Sequence, residues 1–373
     1  MNPERLIGGQ VAFGHRGATD VPFSEVERLE WRPGDPGEPG ELLAGFLDEH
    51  LRGDRSVALL LGAQGCARLA GLPEGASSPV AAVPELVAVA QEPGGAGLWR
   101  GAAPAVGEWS ASWTDAEHAA AVETARAAIA RGDVYQVNVV GHRCAPHRSD
   151  PRDLAAAVAA LPGAAYSGVL AGEGWAVGCG SPEQLVRVVG DRITTVPIKG
   201  TARIAPGSDA ALRASQKDRA EHVMIVDLER NDLSRVCRTG SVQVEELYAL
   251  YEWSGLWQAS STVAGTLEDG VTTMDVLRAL LPGGSVTGAP KRAACALLAG
   301  LEPVGRGPAM GALGVVTAGG MDLGLTIRTV AADEDRVHLW AGGGITWSSD
   351  PAAEVEEAHA KAGPVVRALS SSP

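Results

Sequence analysis

The stretch KDRAEHVMIVDLERNDLSRV (217–236) is the segment that decides how this chain folds. Its apolar run VMIVDL predicts a largely buried helix, which we extend over residues 208–237 with a break near Asn231. Asp218 and Glu221 lie three residues apart, so a helix presents both carboxylates on one face. Such a pair is a candidate ligand for a hard cation, although a single pair is more often a solvated acidic face.

A second helix with the same spacing follows near the C-terminus, in GGGITWSSDPAAEVEEAHAKA (342–362). Glu354 and Glu357 are three residues apart, and Lys361 lies one turn beyond them. Two helices that each offer paired carboxylates supply the oxygen ligands that Mg²⁺ takes, and waters and substrate oxygens complete its shell. The two helices therefore predict a Mg²⁺ site.

Further helices and meandering strands surround this pair. Thr114 and Glu117 form a capping-box pattern at the start of a helix over 114–133. Turn residues divide 174–204 into an antiparallel meander, and strands fill 309–347. Because single strands and helices do not alternate, the sequence predicts an α+β fold.

Composition excludes several classes of function. The chain has 373 residues, of which 45% are hydrophobic, so a large core can form. Its net charge of −14 argues against a general nucleic-acid or anionic-membrane binder. The N-terminus has no basic-then-apolar signal pattern, no apolar run reaches the ~18 residues that span a bilayer, and the five cysteines form no CxxC pair. We therefore expect a reduced, cytoplasmic protein.

The chain prefers arginine to lysine, which makes each lysine informative. Of 31 basic residues only four are lysine: Lys199, Lys217, Lys291 and Lys361. Lys199 lies in VPIKGT (196–201), an otherwise uncharged strand, where burial lowers a lysine pKa and gives a nucleophilic amine. Glu183, in GSPEQLV, lies 16 residues earlier on a neighbouring apolar strand, and its carboxyl group is a candidate general acid or base.

Three further segments are candidate anion sites. AGGGITWSSD (341–350) predicts a turn whose backbone amides converge on an anion, although a tight hairpin gives the same pattern. Its three consecutive glycines are Gly342, Gly343 and Gly344. In GGSVTGAPKR (283–292), small residues and hydroxyls precede a helix N-terminus, which binds anions. The side chains concerned are Ser285, Thr287 and Lys291. Arg328 interrupts the apolar strand LTIRTV (325–330) and needs an anionic partner.

Together these segments resemble the chorismate-utilising family, which includes the large components of anthranilate synthase and aminodeoxychorismate synthase and the isochorismate and salicylate synthases. The segments that carry the resemblance are DVYQVN (133–138), SPEQL (181–185), PIKGT (197–201), KDRAEHVMIVDLERNDLSRV (217–236), GGSVTGAPKRAA (283–294), TIRT (326–329) and GGGITWSSDPAAEVEEAHAKA (342–362). The resemblance implies an anthranilate synthase component I-like fold, with orthogonally packed, mostly antiparallel sheets in the centre and helices outside. It also implies a catalytic chorismate-binding domain over 114–370, on which a shortened N-terminal region, 1–113, packs.

The resemblance also implies roles for single residues. Glu221 and Glu357 match residues that bind Mg²⁺ directly, Glu354 matches one that acts through metal-bound water, and Asp218 stands where some members have another such carboxylate. The positions implied for substrate binding are Thr201, Ser285, Thr287, Gly288, Lys291, Arg328, Gly342, Gly343, Gly344 and Lys361.

The family divides at PIKGT. Anthranilate synthases resemble PIAGT there, whereas aminodeoxychorismate synthases have PIKGT, and their lysine is a candidate nucleophile on the chorismate ring. The resemblance implies that Lys199 attacks C2 while the 4-hydroxyl leaves with acid assistance, a role open to Glu183, and that ammonia then adds at C4. Gln258 stands where the family often has a histidine that assists pyruvate elimination, which speaks against anthranilate as the product.

The expected activity is amination of chorismate to 4-amino-4-deoxychorismate, for para-aminobenzoate and folate or for a specialised metabolite. No cysteine lies in a glutaminase setting, so ammonia would come from a separate glutamine amidotransferase subunit or from free ammonia. Synthesis of anthranilate, aminodeoxyisochorismate, isochorismate or salicylate stays open on the same scaffold, as does a non-catalytic chorismate-binding subunit. We expect no nucleic-acid or membrane partner.

Overall fold

Two antiparallel β-sheets form the centre of the computed structural model, which describes residues 12–14, 23–53, 55–93, 102–253 and 255–370. The strands are β1 (Ala12–Gly14), β2 (Phe23–Trp31), β3 (Ser56–Leu61), β4 (Leu86–Pro93), β5 (Ser110–Ala111), β6 (Gln136–Pro146), β7 (Tyr166–Gly172), β8 (Trp175–Ser181), β9 (Gln184–Val189), β10 (Arg192–Val196), β11 (Ile198–Arg203), β12 (Gln243–Trp253), β13 (Leu256–Thr266), β14 (Gly288–Ala289), β15 (Ala312–Thr317), β16 (Gly320–Leu325), β17 (Thr329–Ala332) and β18 (Arg336–Ile345). The helices are α1 (Pro39–His50), α2 (Ala63–Leu69), α3 (Asp115–Arg131), α4 (Pro151–Ala159), α5 (Ser208–Ala214), α6 (Gln216–Ser234), α7 (Thr273–Leu280), α8 (Gly284–Thr287), α9 (Lys291–Leu301) and α10 (Pro351–Leu369).

Each sheet mixes strands from distant parts of the chain. In the first sheet the strands lie in the order β1-β7-β8-β17-β18-β6-β14, and β5 also pairs with β6. In the second they lie in the order β11-β13-β10-β9-β16-β15-β3-β4-β2, and β12 also pairs with β13. Helices α3, α4 and α10 pack on the first sheet, and α5 and α6 pack on the second. The predicted α+β fold with antiparallel sheets and outer helices is confirmed.

Two of the passages of the chain between the sheets lie next to each other. β8 in the first sheet leads to β9 in the second through a short link that contains Glu183. β16 in the second sheet leads back to β17 in the first through a link that contains Arg328. The links bond to one another, because the Leu325 amide donates to the Glu183 carbonyl at 3.1 Å and the Gly180 amide donates to the Arg328 carbonyl at 3.1 Å. Glu183 and Arg328 therefore lie side by side at the junction of the sheets.

The N-terminal region contributes strands to the second sheet instead of forming a separate layer. β3 pairs with β15, β4 pairs with β3, and β2 pairs with β4 at the sheet edge. The side chains of β3 from Val57 to Leu61 are fully buried in the largest hydrophobic cluster of the described residues. Of the expected region 1–113, residues 1–11, 15–22, 54 and 94–101 lie outside the described part.

The acidic helices form, with one correction to their boundaries. The predicted helix over 208–237 is interrupted at Ser215 and not near Asn231. The Ser215 hydroxyl accepts a hydrogen bond from the Asp218 amide at 3.2 Å and caps a new helix, α6, which continues through Asn231. Across the described residues, none of the helices combines the length and the apolar character needed to cross a bilayer.

Candidate active site

A cavity of about 120 Å³ at the junction of the sheets collects most of the side chains that the sequence singled out. The predicted site residues that line it are Glu183, Lys199, Thr201, Asp218, Glu221, Ser285, Arg328, Gly342, Gly344, Glu354, Glu357 and Lys361. They come from both sheets and from helices α6, α8 and α10. One cavity thus brings together a lysine, a buried acid, an arginine and paired carboxylates.

A β-bulge turns Lys199 into this cavity. β11 pairs with β13 at Ile198, and the register shifts before Thr201. Gly200 lies inside the bulge with φ of +91°, a left-handed conformation that disfavours a side chain. His222 of α6 supports the bulge, since its Nδ1 lies 3.2 Å from the Lys199 carbonyl oxygen. The PIKGT segment therefore encodes a local distortion that aims a lysine at the cavity.

Burial and neighbouring charges set the protonation state of the Lys199 amine. Burial lowers the pKa of Lys199 below its ordinary value, and the positive charge of Lys361 lowers it further. The carboxylates of Glu221, Glu183 and Glu357 oppose this shift without reversing it. At neutral pH, Lys199 is therefore present as the neutral, nucleophilic amine to a larger extent than an exposed lysine is.

Glu183 is buried beside Lys199 and is held by a hydroxyl group. It is 4% exposed, and its Oε1 accepts a hydrogen bond from the Ser285 hydroxyl at 2.6 Å. Burial raises the pKa of Glu183, while the Ser285 hydrogen bond and the Lys199 charge lower it. Because the net shift is upward, this carboxyl group keeps a proton more readily than an exposed glutamate, as a general acid must.

Two helices contribute four carboxylates to the cavity lining. Asp218 and Glu221 come from α6, and Glu354 and Glu357 come from α10. Within the described part of the chain, no three of these side chains bring ligand oxygens within 4.8 Å of one another. Mg²⁺ accepts this spacing, because it keeps several water ligands and needs only one or two protein carboxylates directly. The donor set therefore fits a hydrated Mg²⁺ ion.

The charges of the cavity also favour a bound cation. Carboxyl groups outnumber basic groups five to three among the lining residues, with Glu183, Asp218, Glu221, Glu354 and Glu357 against Lys199, Arg328 and Lys361. Lys361 is itself engaged, since its Nζ lies 2.6 Å from Glu357 Oε1 and donates to the Gly342 carbonyl oxygen at 2.9 Å. An anionic substrate meets net negative charge here unless a divalent cation balances it.

Arg328 lies in the link between β16 and β17, and not within a strand as predicted. Its backbone is left-handed, with φ of 51°, which interrupts strand geometry at this point. The residue is 7% exposed, and its Nη1 donates to the Lys361 carbonyl oxygen at 2.8 Å. Burial lowers the pKa of Arg328 to about 10, although Glu357 and Glu183 favour its charged form. Arg328 therefore stays cationic at neutral pH.

The glycines at 342–344 lie in a strand, which corrects the prediction of a glycine-rich turn. They belong to β18 and pair with β6, so their amides do not converge as a nest does. The absence of a Cβ at these glycines is important for a different reason, because it leaves space for neighbouring side chains. A Cβ on Gly343 would lie 2.9 Å from Glu354 Oε2, and one on Gly344 would lie 2.6 Å from Lys199 Nζ. Glycine here lets the backbone approach the carboxylates and the lysine.

Four predicted substrate-binding residues do not line the cavity: Thr287, Gly288, Lys291 and Gly343. The Thr287 hydroxyl donates to the backbone of its own turn at 2.8 Å, and Gly288 pairs with β6 as part of β14. Lys291 Nζ lies 2.6 Å from Asp232 Oδ2 and donates to the Leu280 carbonyl oxygen at 2.7 Å. The lysine is therefore drawn to a buried carboxylate of α6 and away from the cavity.

Two polar residues of β6 lie at the site without a role predicted from the sequence. Asn138 lines the cavity, and Gln136 is fully buried, with neither side-chain polar atom hydrogen-bonded. A Cβ on Gly344 would lie 2.3 Å from Gln136 Nε2, so Gln136 and Lys199 both lie against this glycine. The alternation of a strand places Gln136 and Asn138 on one face, and this signal was available in DVYQVN.

The fold and the cavity define an α+β protein that can hold a small anion together with a cation. The sequence matches the family described as chorismate binding enzyme over residues 99–367, and the chain belongs to that family. Anthranilate synthase component 1 of Streptomyces coelicolor is 41% identical over 257 residues, which are 67% of this chain and 50% of the relative. Aminodeoxychorismate synthase component 1 of Bacillus subtilis is 36% identical over 273 residues, 71% of this chain and 58% of the relative. The chain thus spans about half the length of these curated relatives.

Solved structures agree with the fold. Anthranilate synthase component I from Streptococcus pneumoniae superposes with a TM-score of 0.78 over 98% of this chain and 94% of that chain, at 23% identity. The menaquinone-specific isochorismate synthase from Escherichia coli gives a TM-score of 0.78 over 98% and 89%, at 17% identity. The expected anthranilate synthase component I-like fold and the membership of a chorismate-utilising family are confirmed.

Proposed function

We propose that this protein converts chorismate, and that it aminates C4 to give 4-amino-4-deoxychorismate. The observation that carries the proposal is the buried Lys199 amine, which shares one cavity with Glu183 and with the carboxylates of two helices. The lowered pKa of Lys199 favours a neutral amine, and the raised pKa of Glu183 favours a protonated acid. A nucleophile and an acid matched in this way suit the displacement of a hydroxyl group.

In the proposed reaction the neutral Lys199 amine bonds to C2, both conjugated ring double bonds shift towards C4, and the 4-hydroxyl leaves as water with the proton of Glu183. Ammonia then bonds to C4, both double bonds shift back, and the C2–N bond breaks to release Lys199 as a neutral amine. The new ammonium group returns one proton to the Glu183 carboxylate, which restores both groups. The enolpyruvyl group is retained throughout.

Arg328 supplies a fixed positive charge for a substrate carboxylate, and Ser285 keeps the Glu183 carboxyl group in place. Glu221 and Glu357 would hold Mg²⁺ directly, while Glu354 and Asp218 would act through its waters. When bound there, the ion supplies a positive charge that balances a substrate carboxylate. This division of roles is the one that the resemblance to the chorismate-utilising family implies, and the surplus of carboxyl groups in the cavity lining supports a bound cation.

Nitrogen would come from a separate glutamine amidotransferase subunit or from free ammonia. The relatives in Streptomyces coelicolor and Bacillus subtilis are named as component 1 of their synthases, which fits a second component. The isolated protein should therefore use ammonium but not glutamine. A cytoplasmic enzyme of this kind would serve para-aminobenzoate and folate synthesis or a specialised metabolite.

Anthranilate synthesis is the second candidate, because the relative at 41% identity carries that name. Gln258 argues against it. This residue lines the cavity and is 4% exposed, and an amide does not titrate near neutral pH, so it cannot transfer the proton that pyruvate elimination needs.

Product analysis decides between the two. The purified chain is incubated with chorismate, Mg²⁺ and an ammonium salt, with and without an added aminodeoxychorismate lyase. Mass spectrometry should show 4-amino-4-deoxychorismate, and pyruvate should appear only with the lyase. Anthranilate and pyruvate formed in step with chorismate loss would establish the second candidate, and unchanged chorismate would indicate a non-catalytic subunit.

A further inference from the structure

Three side chains with metal-ligating atoms meet outside the cavity, where the end of α1 lies beside β2. One ligand atom from each of Glu27, Glu49 and His50 lies within 4.8 Å of the other two. His50 Nε2 lies 3.3 Å from Glu27 Oε2. Glu27 belongs to the edge strand of the second sheet, whereas Glu49 and His50 are the last residues of α1. The cluster therefore joins two elements that no backbone ladder connects.

The local sequence explains why these groups converge. The buried face of α1 includes Leu43, Leu47 and His50 at helical spacing, so an imidazole occupies the last position of an apolar stripe. Glu27 shares the alternation of β2 with buried Trp31, and the pairing of β2 with β4 shifts register just before Glu27. A bulge of this kind re-aims the side chains of an edge strand.

His50 is poorly satisfied as an ordinary core residue. It is 3% exposed, its ring packs on Phe46 with centroids 4.4 Å apart, and neither ring nitrogen makes a hydrogen bond. Buried polar groups are normally hydrogen-bonded. One imidazole nitrogen instead lies within 4.8 Å of a carboxylate oxygen from each of Glu27 and Glu49, and a cation bound between these groups satisfies the ring nitrogen and offsets the two negative charges.

We infer that Glu27, Glu49 and His50 form a binding site for one divalent transition-metal ion, of which Zn²⁺ fits best. One imidazole nitrogen and two carboxylate oxygens suit Zn²⁺, which takes a water as fourth ligand, whereas Mg²⁺ disfavours nitrogen. Glu27 and Glu49 are exposed, so their side chains can close to the ~2 Å ligand distance without backbone movement. The ion fastens the edge strand β2 to α1.

Metal titration of the full chain tests the site. Zn²⁺ is added against a chromophoric chelator with Mg²⁺ in large excess, so that Mg²⁺ competes for the carboxylates of the cavity. We expect one Zn²⁺ per chain, and a loss of affinity of roughly tenfold or more in Glu27→Gln and in Glu49→Gln. Glu41→Gln changes the same charge on an exposed position of α1 and should bind Zn²⁺ like the unaltered chain. Glu221→Gln, which alters the cavity, should keep this site.

Two further readouts separate a metal ligand from a packing residue. Co²⁺ in place of Zn²⁺ should give visible d–d absorption bands that His50→Gln abolishes. Zn²⁺ should raise the thermal unfolding midpoint of the unaltered chain and of Glu41→Gln, but not of Glu27→Gln or Glu49→Gln. The inference is overturned if the chain takes up no Zn²⁺ under excess Mg²⁺, or if Glu27→Gln and Glu49→Gln bind it as well as Glu41→Gln. A proton shared by His50 and Glu27 would then account for the cluster.

Discussion

Lys199 Nζ lies so close to the Cα of Gly344 that a Cβ on this glycine would come within 2.6 Å of the amine. The same Cβ would come within 2.3 Å of Gln136 Nε2. Strand β18 therefore sets the position of the amine through the absence of a side chain. The distance links the glycine segment to the chemistry of PIKGT, which lies on another sheet.

Gly344→Ala should displace the Lys199 amine and lower kcat by roughly 10²-fold, since a shift of about 1 Å in a reacting group has this effect. Both neighbours are ends of flexible side chains, so the fold should survive, and the circular dichroism spectrum should be unchanged. Gly319→Ala is the matched control, because a Cβ there meets nothing within 4 Å. Steady-state chorismate consumption measures the effect, and normal turnover by Gly344→Ala would contradict this role.

Glu221→Gln and Glu357→Gln should each raise the Mg²⁺ concentration needed for half-maximal activity by at least ~10-fold, because each removes a charged ligand. Glu356→Gln alters an exposed neighbour on the same helix and should behave like the unaltered protein. Activity is followed during Mg²⁺ titration of metal-stripped samples. Undiminished turnover in excess EDTA would exclude the metal site.

Ser285→Ala should move the alkaline limb of the kcat/KM profile to higher pH. The Ser285 hydrogen bond lowers the pKa of Glu183, so its removal leaves the raising effect of burial less opposed. A protonated Glu183 is present below its pKa and is lost as pH rises through it, and a higher pKa therefore extends activity upward. Ser234→Ala removes an exposed hydroxyl of α6 and serves as control. A limb that stays in place or moves down would assign the proton to another group.

The carboxylate pairs and PIKGT could be predicted because their signals are local. Helical spacing places Asp218 beside Glu221, and a lysine in an uncharged strand predicts burial whatever the strand pairs with. Ser215 was also a local signal, since a serine hydroxyl competes for backbone amides and caps helices. The sequence pattern predicts the helix break near Asn231 instead, where no such competition interrupts α6.

The strand at 342–344 and the ion pair of Lys291 could not be predicted from the local sequence. Gly344 pairs with Asn138, about 200 residues earlier, and nothing near the glycines distinguishes this long-range pairing from a tight turn. Lys291 lies in a segment with an anion-binding pattern, but in the folded chain its amine forms an ion pair with Asp232 of α6. Both outcomes depend on tertiary contacts that outweigh local pattern.

Lys291→Met should destabilise the fold by about 3–5 kcal/mol, because it leaves the buried Asp232 carboxylate without its cation. Burial and Asp232 raise the pKa of the neighbouring Glu229 to about 8, and the charge of Lys291 opposes this rise. Loss of the lysine therefore raises the pKa of Glu229 further. Urea unfolding at pH 7 measures the change. The double variant Lys291→Met/Asp232→Asn should recover part of the loss. An unfolding free energy equal to that of the unaltered chain would show that the ion pair contributes nothing.

Replacement of Lys199 tests whether it is a nucleophile or only a positive charge. Arginine keeps its proton and cannot attack carbon, so Lys199→Arg should retain the charge and lose at least ~10²-fold in kcat. Only covalent attack makes a lysine–substrate adduct. When ammonia is withheld, the adduct should accumulate in the unaltered protein or be trapped by a chorismate analogue, and peptide mass spectrometry should place it on residue 199. Lys199→Ala should form no adduct, and added ammonia should restore only slow direct amination at C2. If Lys199→Ala makes 4-amino-4-deoxychorismate at the normal rate, Lys199 is not the nucleophile, and its lowered pKa then reflects only burial and the neighbouring charge of Lys361.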